Sequence, residues 1–162
     1  MDKRALVRQL IAKLEDALLV AERARDAAET EAREGATPAE KRDDARVALE
    51  WSNLARGQDR RAAQLRADLA ALESFAPAPL PEGAAVALGA VVEVEHDDGG
   101  LTVFLAPAGA GEELTGPGGD GFLTVVTPHS PLGRAVLGRR AGDVATARIA
   151  GEQREWSITW VE

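Results

Sequence analysis

"EGATPAEKRDD", Glu34 to Asp44, is the stretch where a long alanine-rich helical pattern stops and then starts again. Gly35 reads as the residue just past a helix end. Thr37 reads as an N-cap, Pro38 as the first helical residue, and Glu40 as the acid of a capping box. Upstream, Val7, Leu10, Leu14, Ala17, Ala21, Ala24 and Ala28 recur at alternating gaps of three and four, with charged residues between them. That spacing is a coiled-coil seam and predicts a helix from Asp2 to Glu34, about 50 Å long at 1.5 Å per residue. Downstream, Ala48, Trp51, Ala55, Gln58, Ala62, Leu65, Leu69 and Leu72 form a second seam, weakened at Gly57 and Gln58. Two helices of matched length joined by a short turn predict an antiparallel coiled-coil hairpin over residues 1–75.

Working outward, "FAPAPLPEG" from Phe75 to Gly83 cannot continue a helix, because proline removes a donor and clashes with the preceding turn. Residues 76–83 are therefore assigned as a linker, and residues 84–162 as a second domain with a different period. "VALGAVVEVEHD", the turn "DDGG" and "LTVFLAP" predict a β-hairpin. "AGAGEELTGPGGDG" reads as a loop and "FLTVVTP" as a strand. "SPLGRAVLGR" predicts a short helix capped by Ser130 with Pro131 at its first position, and "GDVATARIAG" and "REWSITWVE" predict two closing strands. The expected class is α+β: an N-terminal helical hairpin, then a small antiparallel sheet with one short helix.

Charge differs between the halves. Residues 1–75 hold 14 Lys and Arg against 15 Asp and Glu, and the rest 5 against 12, giving the overall −8 as −1 and −7. An acidic second half repels phosphate backbones, so duplex DNA binding is not expected, and a protein partner with a basic surface fits better. With no Cys, disulfides and thiolate metal sites are excluded, and a reducing cytoplasm is the expected compartment. The N-terminus carries charges throughout and has no signal-peptide pattern, and no window is long and apolar enough to span a membrane.

Chemically suggestive side chains gather at the hairpin tip. Glu40, Asp43 and Asp44 are three and four apart, so their carboxylates share one helix face, and hard oxygen donors of this kind suit Mg²⁺. Acids in a first helical turn are also favoured by the helix dipole alone. His96 and His129 lack spaced partners for zinc or general-base chemistry, and Ser130 lacks a nucleophile-elbow context. Trp156 and Trp160 alternate with Ile158 as half-buried sheet residues do, and Trp51 sits on the seam.

"TPHSPLGRAVLGRRAGD", Thr127 to Asp143, continued by the final hairpin, resembles the C-terminal signature of the Gre-type bacterial transcription elongation factors. The plan of the chain is similar as well: coiled-coil hairpin, linker, then an FKBP-like sheet domain. The resemblance implies a cytoplasmic monomer that binds bacterial RNA polymerase, with the C-terminal domain docked at the rim of the secondary channel and the hairpin tip reaching the active centre and the transcript RNA. It implies that tip carboxylates help hold a Mg²⁺ shared with the polymerase, which itself cleaves backtracked RNA, so the factor is not an enzyme. On this chain the tip role falls to Glu40, Asp43 and Asp44, and the docking role to Ser130, Pro131, Leu132 and Arg134. The family's tip has Asp followed three residues later by Glu. Here Glu40 and Asp43 hold that spacing in reverse order, and the nearby Tyr of the family pattern is missing. Two other functions remain beside cleavage stimulation: a channel-binding regulator that inhibits polymerase, and a prolyl isomerase or chaperone. The latter would need an aromatic-lined pocket, and the sheet domain offers only Phe104 and Phe122 beside its tryptophans. A plain coiled-coil oligomerisation module is the simplest structural role.

Overall fold

The computed structural model describes residues 1–34, 43–97, 99–116, 119, 121–149 and 151–162, leaving the side chains of Asp43 and Asp44 aside. Helix α1 covers Lys3–Glu34 and helix α2 covers Asp43–Glu73. The heptad spacing selects most of the buried positions among the described residues, Val7, Leu10, Leu14, Ala21 and Ala28 on α1 and Ala55, Ala62, Leu69 and Leu72 on α2, while Lys3 and Leu6 are buried off the seam. Two compact units result, one of Met1–Ile11 with Ala70–Glu162 and one of Ala12–Leu69. Within the second unit, Arg66 reaches Glu22 at 2.5 Å and Arg25 reaches Asp59 at 3.4 Å. Rising numbers on α1 thus meet falling numbers on α2, which makes the pair antiparallel. These exposed ion pairs set register more than they add stability, since each is worth well under about 1 kcal/mol. Among the described residues no helix is long and apolar enough to cross a membrane.

The first unit is built on a six-stranded sheet. Its strands are β1 Val91–His96, β2 Gly99–Leu105, β3 Glu113–Thr115, β4 Phe122–Val126, β5 Val144–Ile149 and β6 Glu152–Val161, in the spatial order β3-β4-β2-β1-β6-β5. The expected β1–β2 hairpin forms, with His96 opposite Gly99. Two features depart from the sequence reading. Strands β2 and β4 run parallel, because the chain leaves β2, makes β3 and re-enters beside β2 in the same direction. The predicted loop also contains β3, which pairs with β4 through Leu114 opposite Leu123. A three-residue strand with one buried apolar side chain has too short a pattern to announce itself among glycines.

Val103, Phe104 and Leu105 are consecutive and all fully buried, so both faces of β2 are dry. One face belongs to a cluster of Val92, Val94, Val103, Leu105, Trp156 and Ile158 under the short helix α3, Pro131–Val136, which contributes Leu132 and Val136. The remaining fully buried side chains of this unit include Val91, Phe104 and Leu114 together with Leu6, Leu10 and Leu72. The beginning of α1 is fastened to the sheet in two ways. Leu10 packs so closely on Gly109 that a Cβ there would lie 2.7 Å from its Cδ1, at a backbone φ of +81° that glycine tolerates. Gln9 donates from Nε2 to the Thr115 carbonyl at 3.0 Å and accepts the Thr115 N–H at 3.1 Å, so its amide pairs with edge strand β3 as a neighbouring strand would.

Two consequences are measurable. A Cβ added at Gly57 in α2 would meet nothing within 4 Å, so Gly57→Ala should raise unfolding free energy by about 1 kcal/mol in urea titration. Lys3 is only 7% exposed and its Nζ has no hydrogen-bond partner among the described residues. Burial pulls its pKa below the ordinary lysine value, with the Glu162 carboxylate opposing the shift. Between the lowered and the ordinary pKa the unfolded chain holds a proton that the folded chain has released, so stability rises with pH there. Lys3→Met should therefore raise the urea midpoint at neutral pH, and its advantage should shrink as the pH climbs towards the ordinary lysine range.

Candidate docking site

Of the site residues read from the sequence, Glu40 lies outside the described residues. Asp43 and Asp44 are described only as the first two backbone positions of α2, so the tip carboxylates as a group also lie outside them. Among the described residues no group of three or more His, Asp or Glu side chains is placed to hold a metal ion. His96 sets its ring edge-on to Trp156, with centroids 4.4 Å apart and planes at 79°, a packing arrangement.

The residues around α3 are fully described. Ser130 is extended, at φ −71° and ψ 153°, and Pro131 occupies the start of the helix, where its missing N–H costs nothing. The Ser130 hydroxyl donates to the Thr127 carbonyl at 2.8 Å and accepts the N–H groups of Gly133 and Thr127, each at 3.2 Å. One oxygen thereby caps the helix and clamps the turn that enters it. The turn is so tight that a Cβ on Gly133 would lie 2.1 Å from the Thr127 carbonyl oxygen. Leu132 and Val136 are buried and pin the helix to the sheet. At the far end Gly138, at φ +79°, donates its N–H to the Val86 carbonyl at 2.8 Å and turns the chain away.

The four residues assigned to docking therefore divide. Leu132 sits in the core, because a six-residue helix needs an anchor, and its side chain is not part of the surface. The Ser130 hydroxyl is consumed by the clamp. Pro131 and Arg134 are exposed, and Arg134 donates from Nη2 to the His129 carbonyl at 3.2 Å. They form one wall of a shallow groove with Ala135, and Thr146, Ala147 and Arg148 of β5 form the other. Sequence reasoning missed Arg148. Alternation along "VATARI" places Thr146 and Arg148 on one strand face, but nothing in that pattern says the strand lies next to α3.

No family model matches the chain. Among curated proteins it is similar to transcription elongation factor GreA of Ralstonia nicotianae, with 29% identity over 99 residues, covering 61% of this chain and 59% of that protein. The chain thus spans about three-fifths of the length of the elongation factor it matches. Among solved structures, the GreA factor homolog 1 (Gfh1) protein of Thermus thermophilus aligns over 94% of each chain at 23% identity with a TM-score of 0.40. The GreA/GreB elongation factor of Nitrosomonas europaea aligns over 65% of this chain and 78% of its own, at 21% identity and a TM-score of 0.36. In this chain the stretch Thr127–Asp143 has a plain physical content. Thr127, Ser130 and Gly133 are the members of one hydrogen-bonded, sterically closed turn, and Asp143 accepts the Arg140 N–H at 2.8 Å on the approach to β5.

The clamp separates two substitutions by size of effect. Ser130→Ala should lower stability by about 1–2 kcal/mol, the cost of a lost cap. Gly133→Ala should cost more, about 3 kcal/mol or above, because the clash is with backbone and no side-chain rotation relieves it. Urea titration, with hydrogen exchange of the α3 amides as a local readout, measures both.

Proposed function

We propose that the chain is a Gre-like factor that binds bacterial RNA polymerase through the secondary channel and stimulates the polymerase's own cleavage of backtracked transcripts. The observation that carries this reading is the sequence relationship to GreA, joined to a signature stretch whose residues build a real turn in this chain. Helix α1 has 32 residues, about 50 Å of rise, which is the reach the role demands. In this reading Pro131 and Arg134 belong to the polymerase-docking surface, and Glu40, Asp43 and Asp44 are the working end. A Mg²⁺ shared with the polymerase would be held by these carboxylates and would supply an activated water and charge stabilisation for phosphodiester hydrolysis. The factor contributes carboxylates and reach, while the catalytic centre remains the polymerase's.

A second reading, a channel-binding regulator that modulates or inhibits polymerase without stimulating cleavage, is favoured by one observation. The tip reverses the family's Asp-to-Glu order, with Glu40 ahead of Asp43. A cleavage assay on stalled, backtracked elongation complexes separates the two. Stimulation by the parent chain, reduced about tenfold or more by Asp43→Ala with Asp44→Ala, is the expected outcome. Binding without stimulation selects the regulator, and failure to bind polymerase core rules out both.

A further inference from the structure

Strand β1 lies in the middle of the sheet, yet one of its faces is charged. Val92 and Val94 belong to the cluster under α3, so alternation sets Glu93 and Glu95 on the opposite face. The register completes that face: Thr102 and Trp160 lie across from Glu93, and Gly100 and Ser157 lie across from Glu95. Val144 of β5 is opposite Ser157, and Glu155 follows Ser157 on the same face by alternation. Counting from Ile158, alternation alone would turn Trp160 to the core face. The pairing of β1 with β6 slips by one residue between Glu93 and Val94, and this bulge re-aims it. On the same face Val91 and Phe104 are fully buried, whereas Glu93, Glu95, Glu155 and Ser157 are exposed and Trp160 and Val144 are 38% and 49% exposed. One half of the face is therefore covered and the other half is open. Among the described residues none of Glu93, Glu95 and Glu155 has an ion-pair partner. Arg154, at the rim of the groove of about 570 Å³ that Glu95 and Glu155 line, is held by Glu152 at 2.7 Å.

We propose that the open half of this face docks an arginine-bearing helix of a protein partner. Carboxylates two apart on a strand repeat at about 7 Å, and side chains four apart on a helix at about 6 Å, so arginines at i and i+4 meet Glu93 and Glu95 in step. A guanidinium bonded to Glu93 can lie on the indole of Trp160 directly across the strands, a contact that the planar fork of arginine serves better than a lysine ammonium. Val144 and Trp160 supply the apolar contact that a helix needs to settle on a sheet. A nucleic acid is disfavoured, because the same carboxylates repel its phosphates. Among the described residues no three carboxylates converge to hold a metal ion, so the row is matched to a row of cations. Helix α3 packs on the other face of the sheet, which keeps this surface separate from Pro131 and Arg134. The inference does not rest on the polymerase reading, since the partner is defined by its chemistry alone.

The test uses the full chain and a fluorescein-labelled, alanine-based helical peptide with arginines at i, i+4 and i+8, followed by anisotropy. The parent chain should bind it, more weakly as salt rises, and should bind a lysine version of the peptide less tightly. Glu93→Gln combined with Glu95→Gln should weaken binding about tenfold or more. Glu15→Gln with Asp16→Asn, which removes the same charge from α1, should leave it unchanged. Trp160→Leu should erase the preference for arginine over lysine. Circular dichroism checks that each variant folds, and Glu95→Gln alone replaces the double variant if that does not. A parent chain that ignores the peptide, or a Glu93 and Glu95 variant that binds as well as the parent, overturns the proposal. Equal binding of the lysine peptide, equal binding of a peptide whose arginines are scattered round the helix, or an equal loss in the α1 variant overturns it as well.

Discussion

Strand β2 must be dry on both faces, and much of the first unit follows from that requirement. Its Val103-Phe104-Leu105 run is fully buried, which a sheet of this size achieves only if something apolar lies above and below it. The α3 side is met from within the sheet domain, by Leu132 and Val136. Leu6, Leu10 and Leu72 are buried in the same unit, so the beginning of the first helix and the end of the second belong to the sheet's core as much as to the hairpin. At about 25 cal/mol per Å² of apolar surface, three buried leucines contribute several kcal/mol before any hydrogen bond is counted. Gln9 and Gly109 then fix the fit: one supplies paired hydrogen bonds to an edge strand, and the other removes a side chain where Leu10 must pass.

The same economy of small residues governs α3. Its helix is too short to persist alone and depends on a cap, an anchor and a turn that close on one another. Ser130 provides the cap and the clamp together, Leu132 the anchor, and Gly133 the space that lets the Thr127 carbonyl approach. A signature that reads as a family mark in one dimension is, in three, a set of residues with few allowed substitutes. What the turn leaves on the surface is Pro131 and Arg134, next to a strand from elsewhere in the sequence.

The hairpin beyond Ile11 follows simpler rules. Alanines replace leucines along the seam towards the tip, and Ala21, Ala28, Ala55 and Ala62 are buried where the heptad places them. Less apolar area per turn is buried there than at the leucine end, so this part of the molecule leans more on helix propensity, with ion pairs such as Glu22 with Arg66 fixing its register. Glycine at position 57 runs against that propensity, and nothing in its surroundings requires it.

The sequence by itself determined the two helices, their antiparallel pairing, the β1–β2 hairpin and the capped helix at Ser130, because each is written in local periodicity, turn chemistry or a cap within a few residues. Its spacing also offered Glu40, Asp43 and Asp44 as metal-ligand candidates, whose side chains lie outside the described residues. Only the tertiary structure decided that β4 lies parallel to β2, that the glycine-rich loop conceals β3, that Leu132 is core, and that Arg148 shares a groove with Arg134. Those are contacts between segments far apart in the chain. They are set by which faces must be dry and which edges must be paired, quantities that exist only once the whole unit has closed on its core.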